Sequence, residues 1–369
     1  MQYTREDGCL AWLGCSLLNP DISAALLREF GSAEALYEHL MEKGNAFLKD
    51  FGVNEPTISS LTESSERSRM HDMLVTMRRM DIGVFSIHDP RYPDNLRHIQ
   101  QPPTLLFYRG DPDCLMGKCI AIVGSRSASP QGLKITRRIS CDLSRAGVTI
   151  VSGLAMGVDA EAHIGCLEGG SPTAAVMACG IDVDYPMENY DLKERIVREG
   201  GVLLSEYPLG MHGSKHVFHM RNRIISGLAK AVLMMEARIR SGSMITVQHA
   251  LDQGREVFAY PGVPGTEYAE GAHQLLREGA NYFTSAKDVL EDLDWAAGSP
   301  VVTTPPRQEL PDMTDEQRQI YTLLGRGEMS FDELVSETGL PASRLSVSLT
   351  LLQMHGVIRA MPGKSYSRN

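Results

Sequence analysis

Positive charge is scarce in this chain. Its 369 residues hold 36 Lys and Arg against 46 Asp and Glu, a formal net charge of −10. That balance excludes a uniformly basic coat for a polyanion and leaves only a local basic pocket, because the field at a site depends on the charges near it. Long hydrophobic runs are missing too. None reaches the roughly 18 apolar residues needed to span a bilayer, so no membrane insertion is expected. The opening residues carry Glu6 and Asp7 and no long apolar stretch, so they do not read as a signal peptide. Cysteine is sparse and unpatterned: Cys9, Cys15, Cys114, Cys119, Cys141, Cys166 and Cys179 are odd in number and form no CxxC pair. Reduced, mostly buried thiols in a cytoplasmic protein are expected, rather than a disulfide framework. Also absent are GxGxxG, a Walker lysine loop and a GxSxG elbow, so neither the usual dinucleotide fingerprint nor a serine-hydrolase nucleophile is present.

What remains is an ordinary globular composition, 43% hydrophobic and 22% charged, with length for two or three domains. Residues 1–78 read as a small helical domain of helix-hairpin-helix or SAM-like type. Leu26, Leu27, Phe30, Leu36, Leu40 and Met41 fall at helical spacing, Gly31 breaks the pattern and Ser32 is placed to N-cap the next helix. From about residue 79 to 296 short apolar runs alternate with helical stretches. The runs are 83–87, 105–110, 119–125, 148–153, 173–180, 201–207, 231–237 and 256–262, and several of the helical stretches between them end at glycine. This alternation predicts an α/β fold, a doubly wound, mostly parallel sheet. Ligands bind such sheets at the carboxyl ends of the strands. Residues 297–312 are rich in proline and small residues and read as a linker. Residues 313–369 show three helices and a hairpin, the order of a winged helix. That unit has six acids and six bases, and its presumed recognition helix carries Arg344 as its only Lys or Arg. A protein-contact or regulatory role is expected of it rather than major-groove reading.

Several loops at the strand ends suit anions. "GSRSASPQG" opens a helix after the third run, placing Gly124, Ser125 and Arg126 where backbone N–H groups, a helix dipole and a guanidinium meet phosphate. "SGLAMGVDAEAH" repeats the turn with Ser152 and Gly153, and "RSGSMITVQHA" does so with Ser241, Gly242, Ser243 and Thr246. One phosphate needs one loop; a row of them suits a backbone of successive phosphates. Residues 210–260 add seven Lys or Arg against three acids. Among them Lys215, Arg221 and Arg223 suit phosphates, with Asn222 between the arginines, while Phe218 suits an unpaired base. His212, His216 and His219 have a spacing that metal sites sometimes use. They stand in what reads as a loop without Cys or carboxylate nearby, so extra cationic or hydrogen-bonding groups are expected there, not a metal. Asp159 and His163, four apart on a helix, are a candidate acid–base pair, although a capping and structural role is the more ordinary one.

The stretches "IAIVGSRSASPQG", "IVSGLAMGVDAEAH", "GIDVDYPMENYDL", "LLSEYPLG", "RNRIISGLAKAVLMMEA", "SGSMITVQHALDQGREVFAYPG" and "LLREGA" resemble, in order and spacing, the DNA-processing protein A (DprA/Smf) family over about residues 80–285. The resemblance implies an extended Rossmann-like core and a non-enzymatic single-stranded DNA-binding protein without cofactor. It also implies a homodimer that protects incoming DNA and loads the RecA recombinase during natural transformation. It associates Gly124, Ser125 and Arg126 with phosphate, Lys215 and Phe218 with backbone and base, and Arg221, Asn222 and Arg223 with the family's RNR motif. Three departures stand out: His219 in place of a proline, Val247 in place of an alanine, and the loop "PGVPGTEYAEGAHQLL". That loop leaves an alternative, a nucleotide-processing Rossmann enzyme of phosphoribohydrolase type using Glu236 or Glu267.

Overall fold

Buried parallel strands have no solvent face, so they read as continuous runs of Val, Ile, Leu and Ala rather than as alternation. All eight runs become strands in the structure, a computed structural model that describes residues 3–16, 18–65, 67–295, 314–324, 329–354, 357–361 and 365–368. The chain divides into two compact units, Met1–Val302 and Thr303–Asn369. The expected linker 297–312 lies outside the described residues.

The first unit opens with five helices, α1 (Arg5–Gly14), α2 (Pro20–Phe30), α3 (Ala33–Lys43), α4 (Glu55–Ser64) and α5 (Arg67–Met80). Gly31 ends α2 in the left-handed region, and Ser32 caps α3 by accepting from the Ala35 N–H. There follow β1 (Ile82–Ser86), α6 (Asp94–Arg97), β2 (Leu105–Gly110), β3 (Cys119–Val123), α7 (Pro130–Arg145), β4 (Thr149–Ser152), α8 (Val158–Gly169) and β5 (Thr173–Val176). The unit continues with α9 (Tyr190–Arg198), β6 (Val202–Ser205), α10 (Lys215–Leu228), β7 (Ala231–Met234), α11 (Gly242–Asp252), β8 (Glu256–Ala259), α12 (Glu270–Arg277), β9 (Asn281–Tyr282) and α13 (Ala286–Asp292).

The sheet order is β1-β2-β6-β5-β4-β3-β7-β8-β9, with β2 antiparallel to both neighbours and all strands from β6 through β9 parallel. From β3 the chain winds one way through β4, β5 and β6. It then returns across to β7 on the other side of β3 and continues outward. The reversal lies between β3 and β7, and that point opens a crevice beyond the strand ends. The N-terminal helices do not stand apart from the sheet. Trp12, Leu13, Leu26 and Leu36 share one buried cluster with Val84, Leu105, Phe107 and Leu203, and the Trp12 indole donates to the Leu61 carbonyl.

The second unit contains α14 (Asp315–Leu324), β10 (Met329–Ser330), α15 (Phe331–Thr338), α16 (Ala342–Met354), β11 (Ile358–Met361) and β12 (Ser365–Arg368), with strand order β10-β12-β11. It is a winged helix around Ile320, Leu334, Leu345, Leu349 and Leu352. Arg344 of α16 is paired with Glu316 at 2.8 Å, and the same helix exposes Val347 and Leu351.

No helix among the described residues is long and apolar enough to cross a membrane. The seven thiols are unpaired, and burial pushes those of Cys9, Cys15, Cys166 and Cys179 up to about 11.

Candidate nucleic-acid interface

At the crevice beside β3 lies a cavity of about 370 Å³. Its floor is the β3 exit, Val123 to Arg126, and its walls are Ala155 and Asp159 after β4, the first turns of α10, and the start of α11. The loops interlock. The Ser125 N–H donates to Glu236 O at 2.7 Å, and the Val158 N–H to Ser125 O at 3.2 Å. Gly157 has φ +81°, and a Cβ there would stand 2.5 Å from Ser125 O, so only glycine lets the loops after β3 and β4 meet.

Eleven of the residues chosen from sequence line this one cavity: Gly124, Ser125, Arg126, Lys215, Phe218, Arg221, Asn222, Ser241, Gly242, Ser243 and Thr246. They come from three separate strand-end segments. Helix periodicity explains the middle group. Lys215, Phe218, His219 and Asn222 are spaced at i, i+3, i+4 and i+7 and share the face of α10 turned to the cavity. The segment that read as a loop is therefore helical from Lys215, N-capped by the Ser214 hydroxyl. This separates the histidines. His219 lines this cavity, and His216 lines a second cavity of about 340 Å³ on the other side of α10. No group of three metal-ligating side chains forms among the described residues.

The cations differ in kind. Arg126 and Lys215 are exposed, and among the described residues neither has a carboxylate at ion-pair distance. The Arg126 guanidinium rests over the Phe218 ring, 5.0 Å from its centroid. Arg221 is 3% exposed. Its Nη1 donates to Gly153 O at 2.9 Å and also to Val176 O, tying the ends of β4 and β5. Burial lowers its pKa and raises that of the neighbouring Asp159, each charge partly offsetting the penalty on the other. A Cβ on Gly153 would lie 2.6 Å from Arg221 Nη2 and 2.8 Å from Asp159 Oδ2, so glycine is the residue that admits the pair.

Three chosen residues lie elsewhere. The Ser152 hydroxyl donates to Ile122 O inside the sheet, and Gly153 meets the cavity only through its bond to Arg221. Arg223 is 4% exposed and points the other way, into an ion pair with Glu206 at 2.7 Å. Helix periodicity puts position 223 on the rear stripe with Met220 and Val217.

The helix starts also differ. The N-terminus of α7, read from sequence as an anion site, is already filled. Ser129 Oγ accepts from the Gly132 N–H, and both oxygens of Glu236 accept from Ser129. The N-terminus of α11 has no side-chain cap. Ser241 Oγ instead meets Ser243 Oγ at 2.5 Å, leaving backbone donors and hydroxyls facing the cavity. The same geometry commits Glu236 to structure, and Glu267 forms an exposed pair with Arg238 at 2.5 Å.

Asp159 and His163 are not partners. His163 is fully buried, and its Nδ1 meets Thr173 Oγ1 at 2.8 Å. Thr173 donates to Ile150 O, so His163 carries its proton on Nδ1.

With this geometry in view, comparison with known proteins decides the family. Residues 83–294 match DNA recombination-mediator protein A, and residues 304–364 match the DprA winged helix domain. The chain belongs to the DNA recombination-mediator protein A family. It is 43% identical over 211 residues to the DNA processing protein DprA of Streptococcus pneumoniae, covering 57% of this chain and 74% of that one. The X-ray structure of DprA from that organism superposes with a TM-score of 0.63 at 34% identity, over 79% of this chain and 99% of the other. DNA processing protein A of Helicobacter pylori, solved for its single-stranded DNA binding mode, superposes with a TM-score of 0.51 at 27% identity, over 57% of this chain and 95% of that one. The family resemblance carried by the sequence motifs is the one the comparisons return.

Two predictions follow from the burial of these groups. Arg221→Ala leaves Asp159 buried without its counter-charge and should lower the unfolding free energy by about 3–5 kcal/mol. Arg126→Ala at the exposed rim should change it by no more than about 0.5 kcal/mol. Denaturant unfolding of both variants checks this. The second concerns acid. Burial, reinforced by Arg221, pushes the His163 pKa down to about 3 from 6.5. Between those values the unfolded chain holds a proton that the folded chain does not. Stability from this residue is therefore complete above pH 6.5 and falls as pH drops toward 3, by about 1.4 kcal/mol per pH unit. His163→Asn should flatten the acid limb of stability against pH by that slope, measured by denaturant unfolding across the range.

Proposed function

We propose that this chain binds single-stranded DNA along the strand-end crevice and hands it to the RecA recombinase, without performing a chemical step. The observation that carries this reading is the convergence in one cavity of two cations unpaired among the described residues, an uncapped helix N-terminus and a partly exposed phenylalanine. Phosphates suit Arg126, Lys215 and the α11 donors. A base suits Phe218. Arg126 now lies on that ring, and an exposed cation–π contact is worth only about 0.5–1 kcal/mol, so a base displaces it at small cost while the guanidinium turns to a phosphate. A duplex buries its bases in the stack and offers no free base face to Phe218.

Absence of catalysis is part of the proposal. The acid in the cavity, Asp159, is buried beside Arg221, and Glu236 and Glu267 are engaged elsewhere. Recombinase loading, protection of incoming DNA during natural transformation and a homodimer extending the DNA path rest on membership of the family.

Fluorescence anisotropy with labelled oligo-dT over a salt series, beside duplex DNA, tests the binding. Each phosphate neutralised contributes about −0.7 to the slope of log K against log salt. Arg126→Ala and Lys215→Ala should each weaken binding and flatten that slope by about 0.7. Phe218→Ala should cost about 1–3 kcal/mol with the slope unchanged, because stacking releases no counter-ions. Absence of oligo-dT binding at low salt would sink the proposal. Loading is tested separately. The chain should accelerate RecA filament assembly on strands coated with single-strand binding protein, and Phe218→Ala should remove the acceleration.

A further inference from the structure

The loop after β5 holds aromatic and thioether surface that the cavity does not use. Tyr185 is 43% exposed, and its ring centroid is 5.5 Å from that of Phe218, with the planes at 55°. Met187 on the same loop and Tyr190 at the start of α9 are also exposed, as is Met156 in the loop after β4. The two loops are tied together: Asn189 Nδ2 donates to Leu154 O at 2.9 Å. An exposed apolar group of this kind beside a polar cleft marks a contact surface.

Its chemistry differs from that of the cavity. The segment from Asp182 to the start of α9 at Tyr190 has no Lys or Arg. Of its acids, Asp182 accepts from the Gly210 N–H at 2.8 Å and Asp184 pairs with Lys193 at 2.9 Å, while Glu188 is exposed and adds only negative charge. Such a surface offers nothing to a phosphate and a π face to a base. Its position is also the next one along the sheet. The cavity spans the ends of β7, β3 and β4, and β5 is the neighbour of β4. A strand crossing the cavity toward β5 meets Phe218 and then Tyr185.

We infer that Tyr185 is a second base-stacking residue, receiving the base next to the one held on Phe218, with Met187 and Met156 as its apolar surround. This rests on the single-strand reading above and adds a subsite to it. The ring needs no hydroxyl for the task, and stacking tolerates any base.

The test uses the full chain and oligo-dT carrying one 5-iodouracil at successive positions, irradiated and mapped by mass spectrometry. The expected result is a crosslink to Tyr185 from a base adjacent to the one that crosslinks to Phe218. In anisotropy Tyr185→Ala should weaken binding about tenfold at unchanged salt slope. Tyr185→Phe should stay within about twofold of wild type, since the π face is retained. Three outcomes overturn the inference. One is a Phe218 crosslink with none to Tyr185 and Tyr185→Ala at wild-type affinity. Another is Tyr185→Ala weakening binding only by abolishing the Phe218 crosslink, with no Tyr185 crosslink in wild type; Tyr185 would then only position Phe218. The third is Tyr185→Ala impairing recombinase loading with DNA affinity intact, which would assign the patch to a protein partner. If wild type binds no oligo-dT, the single-strand reading fails as well, and that result is separate from the other three.

Discussion

The site depends on one buried guanidinium. Arg221 reaches from α10 under the ends of β4 and β5 and bonds their carbonyls at Gly153 and Val176, with Asp159 beside it. A cation this deep is held only where donors and charge are matched, since an unpaired buried charge costs several kcal/mol. It therefore fixes where α10 sits along the sheet. Lys215 and Phe218 stand about two turns and about one turn before Arg221 on the same helix, so the position of the two groups at the cavity mouth follows from it. Glycine at 153 and 157 is the backbone half of the same constraint: one admits the pair, the other lets the loops after β3 and β4 close around it.

The strands were legible because a parallel sheet covered on both faces has no polar side to interrupt its apolar runs, and all eight runs became strands. The short β9 lacked such a run and was not foreseen. The loops that line the cavity were legible because glycine and serine before a helix have few other uses at a strand end. The division of the arginines was not. In sequence Arg126, Arg221 and Arg223 are equivalent cations. In the fold, one is exposed, one is a buried tie, and one is paired with Glu206 on the opposite face. Burial of a charged group is a property of what packs over it, and no local pattern reports that. The same holds for the start of α7, where the capping carboxylate of Glu236 arrives from a position 107 residues away.

Reading Lys215 to Arg223 as a helix would have separated Lys215 and Phe218 from His216 and Arg223, although it leaves Arg221 between the two stripes. Positions 215, 218, 219 and 222 make one stripe and 216, 217, 220 and 223 the other, and the structure gives the first to the basic cavity and the second to the apolar one behind it. The loop reading concealed this, because His212 to His219 lack the apolar spacing that announces a helix, and the helix is capped only by Ser214.

The acidic composition then has a physical place. A net charge of −10 repels a polyanion on average, so attraction has to be local. Among the described residues the pairings leave Arg126 and Lys215 without a carboxylate at the mouth of the crevice, while binding Arg223 to Glu206 behind it and Arg344 to Glu316 in the winged helix. An unpaired cation beside a partly exposed ring suits a phosphate with a base attached, whereas the same cation in an ion pair offers a phosphate much less. Lys134, Arg138 and Arg240 are likewise exposed and without an ion pair among the described residues, so what sets the crevice apart is that its free cations stand beside Phe218 and the uncapped start of α11.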